Sequence, residues 1–244
     1  MKIYGTQGIV FRSLKYGESS LILDIYTRAK GLRSYIVSGV RSLKSKSGNI
    51  ALYQLMNQLD IVAYDNDADK LSRIKEVRLH KHYSLLQSDV VRSSVGIFIL
   101  EVCRNAIKEK ESNPELYDFL KIYFNKLDQS DTRMRYLPHF FMLQFSRILG
   151  FYPMNNLSEM NRYFNQTDGQ FIRQSFTPGH IVLGENDSSL IFKLLEADSD
   201  DLEPIFNASE VSRSLDLLIE YYKEHLSGFK PLRSLEVLRT VLLS

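Results

Sequence analysis

Residues 8–40, GIVFRSLKYGESSLILDIYTRAKGLRSYIVSGV, contain three apolar runs separated by two turn signals. The middle run, 19–27, alternates with the two-residue period of a β-strand. One face of that run collects its aliphatic side chains: Leu21, Leu23 and Ile25. The turn signals are YGE at 16–18 and AKG at 29–31, where glycine permits a tight reversal. The stretch therefore predicts three short strands in a β-meander.

Two further strands are predicted after this meander, in LYQLMNQLDIVAY (52–64) and LSRIKEVRL (71–79). Five short strands left as an open sheet would expose unpaired edges, whereas a closed barrel has none. A five-stranded barrel of this length is the size of an OB-fold, an architecture that commonly binds oligonucleotides. An SH3-like barrel is the main alternative.

The hydrophobic period changes from two to 3.6 residues in the second part of the chain, which predicts helices. Asn113 and Pro114 form a plausible N-cap and first helical residue. Asp168 and Gly169 suggest the turn of a small hairpin. The helical runs are 89–110, 113–127, 132–149 and 212–228.

Charge and proline both divide the chain near residue 82. Residues 1–82 carry 14 Lys+Arg against 7 Asp+Glu, whereas residues 83–244 carry 17 against 22. All six prolines lie in the second part. We therefore expect an α+β multidomain chain. Residues 1–82 would form an OB-fold nucleic-acid-binding domain, and residues 83–244 a mainly α-helical domain with a small cysteine-free insert near 155–180.

Composition and motifs exclude several classes of protein. The 244 residues are 44% hydrophobic and 25% charged, which is typical of globular chains. Cys103 is the only cysteine, which excludes an intramolecular disulfide and fits a reducing cytoplasm. No apolar run approaches the roughly 18 residues of a membrane span. No strong enzyme motif occurs, since a phosphate-binding glycine loop and a His-Glu-x-x-His pattern are both missing. We expect a cytoplasmic protein.

Two clusters could in principle hold a metal ion. His80 and His82 would share one strand face, but no nearby trio of ligands completes a site. An acidic run could bind magnesium, although such a run between helices is usually a solvated loop. Its residues are Asp198, Asp200, Asp201 and Glu203. We therefore expect no metal site.

A basic window distinguishes the first part of the chain, because no acidic residue occurs between Asp24 and Asp60. Six cations without a compensating charge repel one another, and nucleic-acid phosphate is their natural partner. These cations are Arg28, Lys30, Arg33, Arg41, Lys44 and Lys46. Three tyrosines on or beside the same strands, Tyr16, Tyr26 and Tyr35, could stack on bases if their rings are exposed.

Short motifs occur from one end of the chain to the other. In the first part they are the YGE turn at 16–18, Thr27, Gly31 and the GVR at 39–41 that begins the basic loop. In the second part they are GFYP at 150–153 and HL at 225–226 followed by KPLRS at 230–234. In these motifs and their order, the chain resembles the RecO family of bacterial DNA repair proteins over nearly its whole length.

The resemblance implies a recombination mediator of the RecF pathway, which is not an enzyme and needs no cofactor. Such proteins bind single- and double-stranded DNA, anneal complementary strands, associate with RecR and help RecA to replace single-stranded-DNA-binding protein. Arg41, Lys44 and Lys46 would be the first DNA contacts, followed by Arg28, Lys30 and Arg33. The family's helical domain grips the acidic C-terminal tail of single-stranded-DNA-binding protein, and Lys230 or Arg233 could supply a cation for it.

The chain departs from the family at one site. Many members carry four zinc-binding cysteines just after the Gly-x-x-Pro motif, whereas residues 155–172 here contain none. We therefore expect a zinc-free insert held together by Phe164, Phe171 and the hairpin turn.

Three other classes of function stay open at this point. An RNA-binding OB-fold adaptor would show the same cationic barrel. A hydrolase built on the acidic run would require a divalent metal. A protein-interaction scaffold would bind DNA weakly at physiological salt.

Overall fold

The structure, a computed structural model, describes residues 2–40, 50–67, 70–107, 111–130, 134–197 and 206–243. The chain forms two compact units, Met1–Ser130 and Asp131–Ser244. The first three helices therefore group with the N-terminal strands. The domain boundary that charge and proline indicate at residue 82 stays a prediction.

A closed five-stranded barrel forms the N-terminal part of the first unit, in the order β1-β2-β3-β5-β4. All pairings are antiparallel except the short parallel one between β3 and β5. This confirms the predicted barrel followed by helices. The strands are β1 (Ile3–Tyr16), β2 (Ser20–Thr27), β3 (Gly31–Val37), β4 (Gln58–Tyr64) and β5 (Ser72–Lys81).

Strand β1 closes the barrel because it pairs with two neighbours. Its first half, Ile3–Ile9, pairs with β4, and Gly8–Tyr16 pairs with β2 around an irregularity between Val10 and Arg12. Such an irregularity bends and twists a strand. Gly8 lies where the two pairings overlap, and a Cβ there would fall 2.4 Å from a methyl group of Ile25. Glycine therefore leaves room for the side chain of Ile25 on the neighbouring strand β2.

The barrel interior follows the alternation read from the sequence. Leu21, Leu23 and Ile25 are at most 2% exposed, as predicted. In register with the first two lie Val37 and Tyr35 on β3, which face the same interior. The two-residue period thus sets both the buried face and its register.

The run 52–64 is not one strand, contrary to the prediction. A 3-10 helix covers Ile50–Tyr53, and Met56 has a positive φ of 70°, so β4 begins only at Gln58. Tyr53 and Met56 are buried. A short apolar run cannot be assigned to helix or strand from periodicity alone, and burial of these side chains determines the backbone here.

Three helices complete the first unit: α1 (Leu85–Ser88), α2 (Val90–Ala106) and α3 (Pro114–Leu127). The predicted cap at Asn113 is confirmed, because its side chain accepts a hydrogen bond from the backbone NH of Leu116 at 2.9 Å. Asp89 caps α2 in the same way through the NH of Arg92. Helix α2 ends at Ala106, before the predicted end at residue 110.

The second unit contains four helices and a two-stranded hairpin among its described residues. Gly169 forms the predicted turn with a φ of +65°. Phe164 and Phe171 are buried and pack edge to face, with ring centroids 5.1 Å apart, which confirms their predicted packing. The sequence reading missed α5. The elements are α4 (Leu137–Ile148), β6 (Tyr163–Asn165), β7 (Gln170–Ile172), α5 (Glu185–Glu196), α6 (Ala208–His225) and α7 (Ser234–Leu243).

Candidate nucleic-acid interface

The predicted DNA contacts divide into those that the structure describes and those that it does not. Arg41, Lys44 and Lys46 lie outside the described residues. The remaining six belong to β1, β2, β3 and the β2–β3 turn. They are Arg28, Lys30, Arg33, Tyr16, Tyr26 and Tyr35.

Two of the described cations are engaged by carboxylates from distant parts of the sequence. Arg28 donates to Asp118 of α3 at 2.8 Å, and Lys30 lies 3.0 Å from Asp65. The hydrogen bond from Arg28 holds the pKa of Asp118 below its usual range and raises the pKa of Arg28. The expectation that these cations lack a compensating charge is therefore wrong for Arg28 and Lys30.

The turn that carries Arg28 and Lys30 is itself fixed by the segment leading into α3. Ser112 donates its hydroxyl to the carbonyl of Arg28 at 3.0 Å, and Thr27 donates to the carbonyl of Gly31 at 2.9 Å. Because backbone and side chains are both held, the turn has a structural role that the sequence did not reveal.

Arg33 is half-buried at one end of the barrel. In the β2–β3 register it lies opposite Ile25, a residue of the interior face. Its guanidinium donates to the carbonyl of Leu32 at 3.3 Å. Arg33 thus lies on the same strand face as the barrel core.

Of the three tyrosines, only Tyr16 offers an exposed ring, with 55% of its surface accessible. Tyr26 is 1% exposed and stacks on Phe11 with ring centroids 5.5 Å apart. Tyr35 is fully buried, and its hydroxyl lies 2.6 Å from that of Tyr4. Burial raises the pKa of Tyr35. A base therefore cannot stack on Tyr26 or Tyr35 in this structure, and the stacking hypothesis remains only for Tyr16.

We predict that Arg28→Gln changes affinity for single-stranded DNA by less than about twofold, because Asp118 already neutralises the guanidinium. Fluorescence anisotropy of a labelled oligonucleotide measures this, with Asp118→Asn as the partner variant that releases the same arginine. A large loss of affinity in Arg28→Gln would contradict the prediction, whatever Asp118→Asn does.

A groove of about 1220 Å³ on the barrel, hereafter the β5 groove, has three cations and two carboxylates in its lining. It is lined by β5 from Arg73 to Arg78, the end of β3, the 3-10 helix, and facing parts of β1 and β4. The sequence predicts strand β5 but indicates no function for this groove. The available signal was the charged alternation in RIKEVR (73–78), whose cations include Arg73, Lys75 and Arg78.

The charges of the β5 groove are unevenly paired. Lys75 lies 3.5 Å from Glu76, and Asp60 lies 3.1 Å from the imidazole of His80. Arg73 and Arg78 are exposed and form no ion pair with another described residue. The groove therefore carries two cations that are available to an anionic ligand.

Lys230 and Arg233 are both exposed in the segment between α6 and α7 of the second unit. The segment is anchored by Phe229 and Leu232, each 8% exposed. Their assignment to an acidic tail stays a prediction.

Within the described ranges, no three His, Cys, Asp or Glu side chains come together as metal ligands. The acidic run from Asp198 to Glu203 lies outside those ranges. A four-cysteine zinc site does not fit this chain, since its single cysteine, Cys103, is buried in α2, and burial raises the pKa of its thiol. The Phe164–Phe171 pair fills the hairpin instead.

No helix in the described part of the chain is both long and apolar enough to cross a membrane.

Comparisons with known proteins agree along the chain. Residues 1–83 match the family model described as Recombination protein O N terminal, and residues 87–236 match Recombination protein O C terminal. The chain belongs to the RecO family. This confirms the resemblance read from the sequence. The curated relatives that match the chain are named DNA repair protein RecO, so the family is one of DNA repair proteins.

Curated RecO relatives match over nearly their full length. DNA repair protein RecO of Christiangramia forsetii is 33% identical over 239 residues, 97% of this chain and 98% of the relative. The RecO of Flavobacterium psychrophilum is 34% identical over 240 residues, with the same coverage of both chains. That of Phocaeicola vulgatus is 32% identical over 237 residues, 96% of this chain and 97% of the relative.

Proposed function

We propose that the protein is a DNA repair and recombination mediator of the RecF pathway. It binds single- and double-stranded DNA, anneals complementary strands and assists the loading of RecA in place of single-stranded-DNA-binding protein. The observation that carries the proposal is the match of both RecO family models to a chain whose N-terminal strands close into a five-stranded barrel. OB-fold barrels are a common scaffold for oligonucleotide binding.

Strand annealing by such a protein needs no bond chemistry. Cationic side chains neutralise phosphates, release condensed counterions and so reduce repulsion between two strands. A positive surface also raises the local concentration of DNA. Base pairing then completes the reaction without a catalytic residue.

The proposed partners follow from the family. RecR and the C-terminal tail of single-stranded-DNA-binding protein would bind directly, and RecA would be affected indirectly. Lys230 and Arg233, both exposed, are proposed to face the acidic tail. We propose that the protein works in the cytoplasm in association with the nucleoid.

Anisotropy of a labelled single-stranded oligonucleotide at several salt concentrations tests the proposal. We expect Arg41→Glu/Lys44→Glu/Lys46→Glu to weaken binding at least tenfold at about 0.1 M salt, because three phosphate contacts are lost. The slope of log K against log salt should then fall by about 2, since each contact on a single strand contributes about 0.7.

The matched control reverses three cations of α2, α3 and α6: Arg104→Glu/Lys121→Glu/Lys223→Glu. It makes the same change in net charge and should retain most of the affinity. If the wild-type protein shows no salt-dependent binding of the oligonucleotide, the proposal is wrong. Displacement by RNA at far lower concentration than by DNA of equal length would favour the RNA-binding adaptor, because the 2′-hydroxyl is the difference that a protein can read.

A further inference from the structure

We propose that the β5 groove binds the phosphodiester backbone of single-stranded DNA, with Arg73 and Arg78 contacting phosphates and the Tyr53 hydroxyl donating a hydrogen bond to the strand. This inference rests on the proposed function and adds a second binding surface to it. Arg73 and Arg78 lie outside the basic window between Asp24 and Asp60, and Tyr53 is not one of its cations. All three residues line the groove.

The first argument is the availability of the two arginines. Glu76 lies 3.5 Å from Lys75 and Asp60 lies 3.1 Å from the imidazole of His80, whereas no carboxylate of the described residues lies within ion-pair distance of Arg73 or Arg78. An exposed guanidinium presents five N–H donors in a fork that matches phosphate geometry. Arg73 and Arg78 therefore supply the unpaired charge and the directed donors that a phosphate requires.

The second argument is the spacing of the arginines along β5. Arg78 follows Arg73 by five positions, which corresponds to at most about 16 Å at a rise of about 3.3 Å per residue, since β5 has an irregularity between Ile74 and Glu76. A compact anion such as a single phosphate spans less than this distance. An elongated polyanion can contact both side chains at once, which favours a nucleic-acid strand.

The third argument is a buried hydroxyl in the wall of the groove. Tyr53 is 1% exposed, and its hydroxyl has no hydrogen-bond partner among the described residues. Burial raises the pKa of Tyr53 to about 12, so the hydroxyl carries its proton at neutral pH and is a donor. Buried polar groups in folded proteins are nearly always paired. Because the Tyr53 hydroxyl is buried, an acceptor on a bound strand reaches and satisfies it only after a neighbouring side chain of the groove moves aside.

The lining also indicates which part of the DNA strand the groove would contact. Tyr53 is the only aromatic residue among the lining residues that the structure describes, and its ring is buried. Stacking of bases needs an exposed ring, so the contacts would go to the backbone. We therefore expect the groove to bind oligonucleotides with little preference for base sequence.

The experiment compares two groove variants with matched controls in the full-length protein. Tyr53→Phe removes only the hydroxyl, and Tyr117→Phe removes another buried hydroxyl that has no partner among the described residues and does not line the groove. Arg73→Gln/Arg78→Gln removes two groove cations, and Arg104→Gln/Lys223→Gln removes two exposed cations from helices. Each is titrated against labelled oligo-dT and a mixed-sequence strand over a range of salt.

We expect Arg73→Gln/Arg78→Gln to weaken binding about tenfold and to lower the salt slope by about 1.4, the contribution of two phosphate contacts. Tyr53→Phe should weaken binding about threefold to fivefold while its melting temperature stays equal or rises, because the folded protein loses an unpaired buried polar group. The controls should bind like the wild type.

If either groove variant binds DNA as tightly as its matched control, the role assigned to the changed residues is wrong. If the Arg41/Lys44/Lys46 variant weakens binding but neither groove variant does, the proposed function stands and the groove assignment falls. Wild-type protein that binds no DNA overturns both.

Discussion

Replacement of Gly31 by alanine is expected to destabilise the protein by about 2–5 kcal/mol. Gly31 has a φ of +64°, a conformation that costs an L-residue roughly 1–2 kcal/mol. The new Cβ would also lie 2.1 Å from the carbonyl oxygen of Glu111, which is backbone and cannot rotate away. Relief of such an overlap shifts the backbone at a cost of about 1–3 kcal/mol. The midpoint of urea unfolding, followed by circular dichroism, measures the sum.

Gly17 provides the control for this prediction. Its φ is +58°, nearly the same, but nothing lies within 4 Å of the position that a Cβ would take there. Gly17→Ala should therefore show only the conformational cost, roughly 1–2 kcal/mol. Equal destabilisation of the two variants would mean that the close approach of Glu111 to the β2–β3 turn does not exist in solution.

The same turn shows what sequence could and could not predict. Glycine at position 31 marks a reversal, and the alternation of Leu21, Leu23 and Ile25 identifies the buried face of β2. Both are local signals. The partner of Arg28 is Asp118, 90 residues later, and no local pattern indicates such a pairing. The sequence therefore indicates the basic window, but it does not indicate that carboxylates neutralise Arg28 and Lys30.

Strand register explains why Tyr35, a predicted stacking residue, is buried. Tyr35 lies opposite Leu23 and therefore shares its buried face, which only the pairing of two strands can reveal. On β5 the sequence predicted the strand but did not single out Arg73 and Arg78 as binding residues, although both are exposed. Their significance depends on the groove formed with β3, β4 and the 3-10 helix, and a groove is a property of tertiary structure.

Acidification is expected to weaken the second unit through one buried histidine. His139 is 1% exposed, and its Nε2 lies 2.9 Å from the carbonyl oxygen of Val211. A carbonyl only accepts, so Nε2 carries the proton, and Nδ1 is left without a hydrogen-bond partner among the described residues. Protonation would place an unpaired N–H and a full charge in the core. Burial accordingly lowers the pKa of His139 to about 4.

The sign of the effect follows from the two states. Below pH 6.5 the unfolded chain binds a proton at this histidine, whereas the folded chain does so only near pH 4. The contribution of neutral His139 is therefore fully present above about pH 6.5 and is lost as the pH falls toward 4. The loss amounts to roughly 3 kcal/mol at about 1.36 kcal/mol per pKa unit.

A comparison of His139→Gln with the wild type isolates this contribution from that of the carboxylates, which titrate in both proteins. The glutamine amide can still donate to the carbonyl of Val211 but binds no proton in this range. The free energy of unfolding should then depend less steeply on pH between 6.5 and 4 than in the wild type. His82→Gln, which removes an exposed imidazole instead of a buried one, is the comparison variant. Parallel pH profiles for His139→Gln and the wild type would show that His139 takes up its proton as readily in the folded protein as in the unfolded chain.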